Sequence, residues 1–589
     1  MTEHPTPAAG PPPTVAVVGL GTAGGALAAR MVDAGLRVLG IDPDPAARDR
    51  AQRAEAAPEI HADPGAVAEA DVVLEAVPEP AAAKRATLAT LARHRRLGAP
   101  LVTTALAVPA AELETAAGRD LLALRFLHPD ALDAVELARA PGAGDRATAL
   151  VTRVLTTAGI AVHPAPDRAG SLAPGLLLGL LNRAAWMVHE GYAGAAEVDA
   201  AMRLGCGWRE GPLALLDAIG LDTARDILAQ LAESGGEHAP PAPILDKLVA
   251  QGALGHKTGH GFHRHPTDRA AEGAGARPEE ERAPVAPVAP PGRNVVVVGS
   301  GVMATGIAES CVRAGFHTTL LARAPERARE AHETVTFQLQ RATAAGTPGD
   351  DEELRAALDR WTATTDRSVL TGADLVIEAV VEDPRVKRQL FAELGEVCAP
   401  RTLLATSTSS LSVNACTEPA GRPAEVLGLH FFNPAPRMAL VELVPARGTS
   451  PHTLARARGA AALLGKRVVE CGDRPGFIVN ALLFPYLNQA LRLLDGGEVA
   501  PPALDAAVRA VGGQPLGPVR LLDTVGADVA LEVQRRLHRE LADAVSAPVP
   551  LLEQLVAEGY LGRKTAGRGV RAFLADRAAA AATPATGAA

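Results

Sequence analysis

Residues 14–24 read TVAVVGLGTAG, and residues 294–306 read NVVVVGSGVMATG. Each begins with a short apolar run, Thr14–Val18 and Asn294–Val298, that predicts a buried strand. Each strand runs into a glycine-rich turn and then a helix. In the first stretch a second strand, Arg37–Ile41, ends at Asp42, an acidic residue about 20 positions beyond the turn. The glycines allow a tight turn and let a pyrophosphate approach the helix N-terminus, where unpaired N–H groups point outward. A carboxylate at Asp42 can bind ribose hydroxyls. A glycine turn alone is weak evidence, but strand, turn, helix, strand and acid in that order predict a dinucleotide-binding domain. Gly19, Gly21, Gly24 and Asp42 are its candidate cofactor residues. Their counterparts are Gly299, Gly301 and Ala304, the last a small residue in the third glycine's place, with Gly306 close behind.

The repetition extends beyond the turns. DVVLEAV at 71–77 mirrors DLVIEAV at 374–380, and Glu79 and Lys84 mirror Glu382 and Lys387. Gly211-Pro212 with Asp217 mirrors Gly517-Pro518 with Asp523, and LGHKTG at 254–259 mirrors LGRKTA at 561–566. The chain therefore reads as a tandem duplication. The fold class is α/β plus α: two Rossmann-type domains, each followed by an all-helical domain. Expected boundaries are a disordered arm at 1–13, the first Rossmann domain at 14–166 and its helical domain at 167–265. A Pro- and Ala-rich linker follows at 266–292, then the second Rossmann domain at 293–472, its helical domain at 473–575 and a disordered tail at 576–589.

At 589 residues the chain is too long for one core. A net charge of −9 gives no reason to expect nucleic acid. No apolar run is long enough to predict a membrane span, and the start, MTEHPTPAAGPPP, lacks the basic and apolar regions of a signal peptide. Five scattered cysteines argue for a reducing compartment and against a disulfide framework or metal site. A cytoplasmic protein without metal is expected.

Candidate chemistry concentrates between Ser407 and Glu442. Val426–Phe432 (VLGLHFF) reads as a buried strand carrying His430, and VELV at 441–444 reads as a second strand carrying Glu442. A carboxylate among apolar neighbours is costly to bury without a partner. An imidazole is a natural one, since the carboxylate would fix its tautomer and raise its basicity. Taken singly, His430 reads first as a satisfied core histidine and Glu442 as an ordinary edge residue.

The surrounding letters decide between these. Ser407-Thr408-Ser409-Ser410-Leu411, Leu429-His430-Phe431-Phe432-Asn433-Pro434, Val441-Glu442 and Pro475-Gly476-Phe477-Ile478-Val479-Asn480 stand in order. In this set the chain resembles the 3-hydroxyacyl-CoA dehydrogenase family, which includes the 3-hydroxybutyryl-CoA dehydrogenases. The resemblance covers nearly the whole chain twice. It implies an NAD(P)-dependent oxidoreductase of fatty acid metabolism that interconverts (S)-3-hydroxyacyl-CoA and 3-oxoacyl-CoA in β-oxidation. It implies His430 as general base, Glu442 as its orienter, and Ser409 and Asn480 as hydrogen-bonding groups at the substrate oxygen. Glu382, Lys387 and Asn433 match cofactor-contacting positions, and Lys564 is a further candidate. The family's helical domains form a dimer contact, so the fused copies are expected to form an intramolecular pseudo-dimer, with further homo-oligomerisation open.

The copies are not equivalent. Thr104 stands at the position of Ser409, Arg125 at that of His430 and Pro174 at that of Asn480; Glu136 alone matches, at Glu442. Arginine cannot serve as a base near neutral pH, and His128, three places on, falls on the other side of the strand pleat. The offset between copies is 280 at Gly19 and Gly299 but 303 at Asp71 and Asp374, so the second copy carries 23 more residues (303 minus 280). These lie within Pro325–Thr371 and read as a helical pair broken at Gly346–Gly349, where the family holds coenzyme A; Gln338 and Arg341 are candidate contacts. The second copy is therefore expected to do the chemistry. It departs from the family too: Ser407 and Ala481 replace the usual Asn and Arg, and the second strand, Thr318–Leu321, ends in Ala322-Arg323 instead of an acid. Either Arg323 pairs with a 2′-phosphate and NADP is accepted, or it is a solvated charge and NAD binds through other contacts. Two rival readings stand beside this one. A hydroxy acid lacking coenzyme A as substrate would turn over faster than a thioester, and a non-catalytic nucleotide-binding protein would turn over neither.

Overall fold

The structure is a computed structural model that describes residues 12–129, 131–235, 238–265, 292–344, 351–541 and 546–582. The strands are apolar runs buried on both faces at the centre of each sheet, as parallel strands require, and are partly exposed at the edges. In the first half they are β1 (Val15–Val18), β2 (Val38–Ile41), β3 (Glu59–His61), β4 (Val72–Glu75), β5 (Leu101–Thr103), β6 (Leu121–Arg125), β7 (Ala134–Arg139) and β8 (Ala161–Pro164). In the second half they are β9 (Asn294–Val298), β10 (His317–Leu321), β11 (Trp361–Thr364), β12 (Leu375–Glu378), β13 (Leu403–Thr406), β14 (Val426–Phe431), β15 (Leu440–Pro445) and β16 (Arg467–Glu470).

The two sheets share one topology, β3-β2-β1-β4-β5-β6-β7-β8 and β11-β10-β9-β12-β13-β14-β15-β16. Pairings are parallel except β6–β7 and β14–β15, which are antiparallel. The order reverses at β1 and β9, and a ligand crevice opens beyond the carboxyl ends of strands at such a point. Both glycine turns stand there. Gly19 (φ +95°) and Gly299 (φ +133°) are left-handed. A Cβ on them would lie 2.6 Å from the Ala76 carbonyl oxygen and 2.4 Å from that of Ala379, so only glycine fits.

Where the first half has only the helix Pro45–Gln52, the longer second half has the helices Pro325–Ala344 and Asp351–Asp359 between β10 and β11. Their expected break falls on residues outside the described set, as do most of the arm and the linker. The tail differs from expectation. It is helical to Ala582 within Val570–Ala582, because its alanine run strongly favours helix, Tyr560 hydrogen-bonds Asp576 and Arg577 pairs with Asp495. The apolar stretch Pro212–Ala229 is two helices, Pro212–Ile219 and Leu221–Glu233, split at left-handed Gly220.

The long helices Ala173–His189 and Val479–Asp495 pack on each other, and one apolar core runs through both helical parts. Among the described residues no helix is long and apolar enough to cross a membrane.

Candidate active site

His430 and Glu442 face each other as register partners across β14 and β15. Their side chains meet with His430 Nδ1 2.6 Å from Glu442 Oε2, at 4% and 0% exposure. The other carboxylate oxygen, Oε1, accepts the backbone N–H groups of Ile478 (3.1 Å) and Val479 (3.0 Å). These belong to the first turn of helix Val479–Asp495, whose N–H groups have no partner within the helix. Glu442 thus holds the imidazole with one oxygen and a helix terminus with the other. Because Nδ1–H donates to the carboxylate, the free ring nitrogen is Nε2. Phe432 and Phe477 close the ring in at centroid distances of 4.6 and 5.4 Å.

The same helix carries Asn480, whose Nδ2 donates to the Ser409 carbonyl at 3.4 Å. The Ser409 loop is itself shaped by Glu382. One oxygen of Glu382 accepts Thr408 Oγ1 (2.5 Å), Ser409 N (3.0 Å), Ser410 N and Ser410 Oγ (both 3.1 Å). Its other oxygen lies 3.2 Å from Lys387 Nζ, which also donates to Glu378 at 2.6 Å. Burial pushes the Glu382 carboxyl up, but the Lys387 ammonium and the donors from Thr408 and Ser409 outweigh it and hold the group below the usual carboxylate range. Burial likewise pulls Lys387 down, and Glu378 and Glu382 outweigh it and hold it above the usual range. Ser409, Asn480, Glu442, His430, Glu382 and Lys387 thus form one connected set.

This set adjoins the glycine turn. A Cβ at Gly301 would meet nothing within 4 Å, so open space faces the start of helix Val302–Arg313, and Gly306 on that helix lies against Ala435 and Pro436, just past exposed Asn433. A dinucleotide pyrophosphate fits such a cradle. Ala322 takes the place of Asp42, and Arg323 beside it is exposed. Lys564 is exposed and paired with Asp528 at 2.9 Å. On the helix Pro325–Ala344, Phe337 is exposed with the Arg341 guanidinium 5.8 Å from its ring centre.

The first half keeps the frame with other chemistry. Glu136 caps its helix as Glu442 does, accepting Leu172 N (2.9 Å) and Ala173 N (2.8 Å), but its remaining partner is the Ser171 hydroxyl. Arg125, fully buried, turns to the Ala105 carbonyl and to Asp167 (2.9 Å), and burial pulls its guanidinium down from the usual range. His128 pairs with Glu210 (3.0 Å). Glu79 accepts Leu106 N and Ala107 N at 2.8 and 2.6 Å, yet burial pushes it above the usual range. A cavity of about 700 Å³ lies beyond the carboxyl ends of β1 and β2, lined by Gly19, Gly21, Asp42, Glu79, Thr104 and Lys257. Asp42 accepts Leu20 N and Asp44 N there, and Gly24 sits so close to the Gly19 carbonyl that a Cβ would overlap it.

Sequence reasoning missed the supporting groups. Glu378 lies in the mirrored EAV strands and Asp473 mirrors Asp167, so the repeat was the available signal. Asp473 accepts Ser412 Oγ, Val413 N and Asn414 N.

Comparison with known proteins gives a consistent result. The description "3-hydroxyacyl-CoA dehydrogenase, NAD binding domain" matches residues 294–474, and "3-hydroxyacyl-CoA dehydrogenase, C-terminal domain" matches 173–265 and 476–572. The "NAD binding domain of 6-phosphogluconate dehydrogenase" matches 14–120. A 3-hydroxybutyryl-CoA dehydrogenase of Mycobacterium tuberculosis is 42% identical over 47% of this chain and 97% of its own length. The mitochondrial hydroxyacyl-coenzyme A dehydrogenase of Sus scrofa is 37% identical over 46% of this chain and 89% of its own. The crystal structure of 3-hydroxybutyryl-CoA dehydrogenase from Escherichia coli K12 is similar in fold over 93% of this chain and 100% of that one, with a TM-score of 0.58 at 18% identity.

Proposed function

This chain belongs to the 3-hydroxyacyl-CoA dehydrogenase family, and from that premise we propose that its second copy carries the catalysis. The protein is an NAD-dependent oxidoreductase that interconverts 3-hydroxyacyl-CoA and 3-oxoacyl-CoA thioesters. The observation supporting the second copy is the buried His430–Glu442 pair at 2.6 Å, which the first copy replaces by Arg125 and Glu136.

NAD, when bound, supplies the hydride acceptor for C3. His430 Nε2 takes the proton of the 3-hydroxyl in oxidation and returns it to the oxygen in reduction. Glu442 keeps the Nδ1 proton in place and stabilises the imidazolium. Ser409 and Asn480 hydrogen-bond the substrate oxygen as negative charge grows on it. Gly299, Gly301, Ala304, Gly306 and Asn433 border the cofactor cradle, Glu382 and Lys387 brace its floor, and Lys564 is a more distant contact. No carboxylate at Ala322 repels a 2′-phosphate, so Arg323 extends the cofactor range toward NADP. The helices Pro325–Ala344 and Asp351–Asp359 take the coenzyme A moiety, with short acyl chains such as 3-hydroxybutyryl in the site.

The first copy holds NAD at Gly19, Gly21, Gly24 and Asp42 without a base to use it. The two helical parts pair as two subunits of a dimer would, at the high effective concentration that fusion gives.

The test is oxidation of NADH and of NADPH with acetoacetyl-CoA, on the wild type and on His430→Ala. Activity lost in the variant supports the second copy. Activity equal in both places the chemistry elsewhere, and a thioester that does not turn over refutes the reading.

A further inference from the structure

Glu442 is anchored by Ile478 N–H and Val479 N–H, so the first turn of helix Val479–Asp495 sets where the catalytic pair sits. The chain reaches that turn through Cys471–Phe477, which ends with two left-handed residues, Gly476 (φ +73°) and Phe477 (φ +47°). A bulky residue at positive φ is strained and persists only where its surroundings impose it. On one side the second copy imposes it: Cys471 N donates to the Leu443 carbonyl, and Asp473 is tied to Ser412, Val413 and Asn414.

On the other side stands the first copy. Tyr192 Oη donates to the Gly472 carbonyl at 2.8 Å, and Gly472 N donates back to the Tyr192 carbonyl at 3.3 Å. The Arg474 guanidinium lies 4.2 Å over the Tyr192 ring and pairs with Glu190. The first copy's helix Ala195–Cys206 presents Gly205 to the same turn. A Cβ there would lie 2.9 Å from Val479 Cγ2 and 3.0 Å from Leu440 Cδ2. Val479 gives Glu442 one of its N–H bonds, and Leu440 opens β15 two residues before Glu442.

The contact differs between the two copies. At the internal offset of 306, Arg168 matches Arg474, Glu498 matches Tyr192 and Pro166 matches Gly472. The reverse contact is an Arg168–Glu498 ion pair at 2.7 Å, without a ring, and Pro166 has no N–H to donate.

We propose that Tyr192 and Gly205 of the first copy are positioning residues for the His430–Glu442 pair, so that the half lacking a base is a working part of the site. This rests on the second copy being the catalytic one.

The test is steady-state reduction of acetoacetyl-CoA by the full chain, with thermal melting in parallel. Tyr192→Phe keeps the ring under Arg474 and removes the hydroxyl, with its hydrogen bond to the Gly472 carbonyl and its contact with the Cys471 thiol. Its kcat falls about threefold to tenfold, the equilibrium weight of one neutral hydrogen bond, while both KM values stay at wild type. In a Glu442→Gln background the same change costs nothing further, because the effect runs through Glu442. Gly205→Ala lowers kcat in the same way; should it fail to fold, Tyr192→Phe decides. An active wild type with an equally active Tyr192→Phe overturns the inference, and so does an equal loss in the Glu442→Gln background. A wild type inactive on the thioester instead refutes the dehydrogenase reading, and this inference with it.

Discussion

Replacing Glu442 by glutamine exchanges one oxygen for an amide nitrogen and changes the volume almost not at all. The consequence follows from the two faces of the carboxylate. Oε2 accepts from His430 Nδ1, while Oε1 accepts from Ile478 N and Val479 N. An amide accepts on one face only. If its oxygen keeps the two N–H groups, its NH₂ meets Nδ1, which must then be unprotonated. The ring proton moves to Nε2, and the nitrogen that should take the substrate proton is already occupied. If the amide flips, Nδ1–H keeps its acceptor, but two backbone N–H groups face a donor at a site with 0% exposure. Each unsatisfied buried N–H costs about 1–3 kcal/mol, so the productive arrangement lies roughly 2–6 kcal/mol above the unproductive one. At about 1.4 kcal/mol per tenfold, kcat falls between about 30-fold and about 2 × 10⁴-fold. The assay is nicotinamide absorbance under saturating acetoacetyl-CoA, with melting curves to count folded chain. Glu136→Gln is the control: Glu136 receives three donors and no imidazole, so that variant melts earlier and keeps its kcat per folded chain. A Glu442→Gln enzyme within about threefold of wild type refutes the reasoning.

Two further predictions concern buried charge. The Glu382 carboxyl lies below its usual range in the folded chain, so the stability it gives is present above about pH 4.3, the unfolded value, and is lost as pH falls through the lower folded value. Glu79 is raised, so its ionised form costs stability above the unfolded value and acidification relieves that cost. Glu382→Gln therefore melts earlier at neutral pH and Glu79→Gln melts no earlier; the reverse order in calorimetry would refute the assignment. Removing Arg125 leaves the Ala105 carbonyl without its donor and takes the cation from Asp167, which keeps only Ala110 N and Ala111 N, and Arg125→Ala destabilises the first half by about 3–5 kcal/mol, read from chemical denaturation. Arg125→His does not restore turnover to a chain lacking His430, because Thr104 and Pro174 stand where Ser409 and Asn480 would be needed.

The glycine turns, the duplication and the His430–Glu442 pair are legible in the letters because each is a short-range demand. A left-handed turn against a neighbouring carbonyl admits only glycine, and an acid inside an apolar strand needs a partner. Helix ends were less legible: Gly220 splits a stretch whose apolar spacing continues unbroken, and the tail's helix owes its last turns partly to Asp495, some 80 residues away. The site's supports were hidden for the same reason. Nothing near Glu382 announces that it gathers Thr408, Ser409 and Ser410, and nothing near Tyr192 announces a bond to Gly472, 280 residues on. The sequence by itself determined the architecture, the duplication and which copy lacks a base, since backbone sterics and residue chemistry act locally. Tertiary structure alone decided what Glu442's second oxygen holds, where Arg125 turns and which groups of one copy brace the other, since those contacts join distant residues that meet only through sheet register and helix packing.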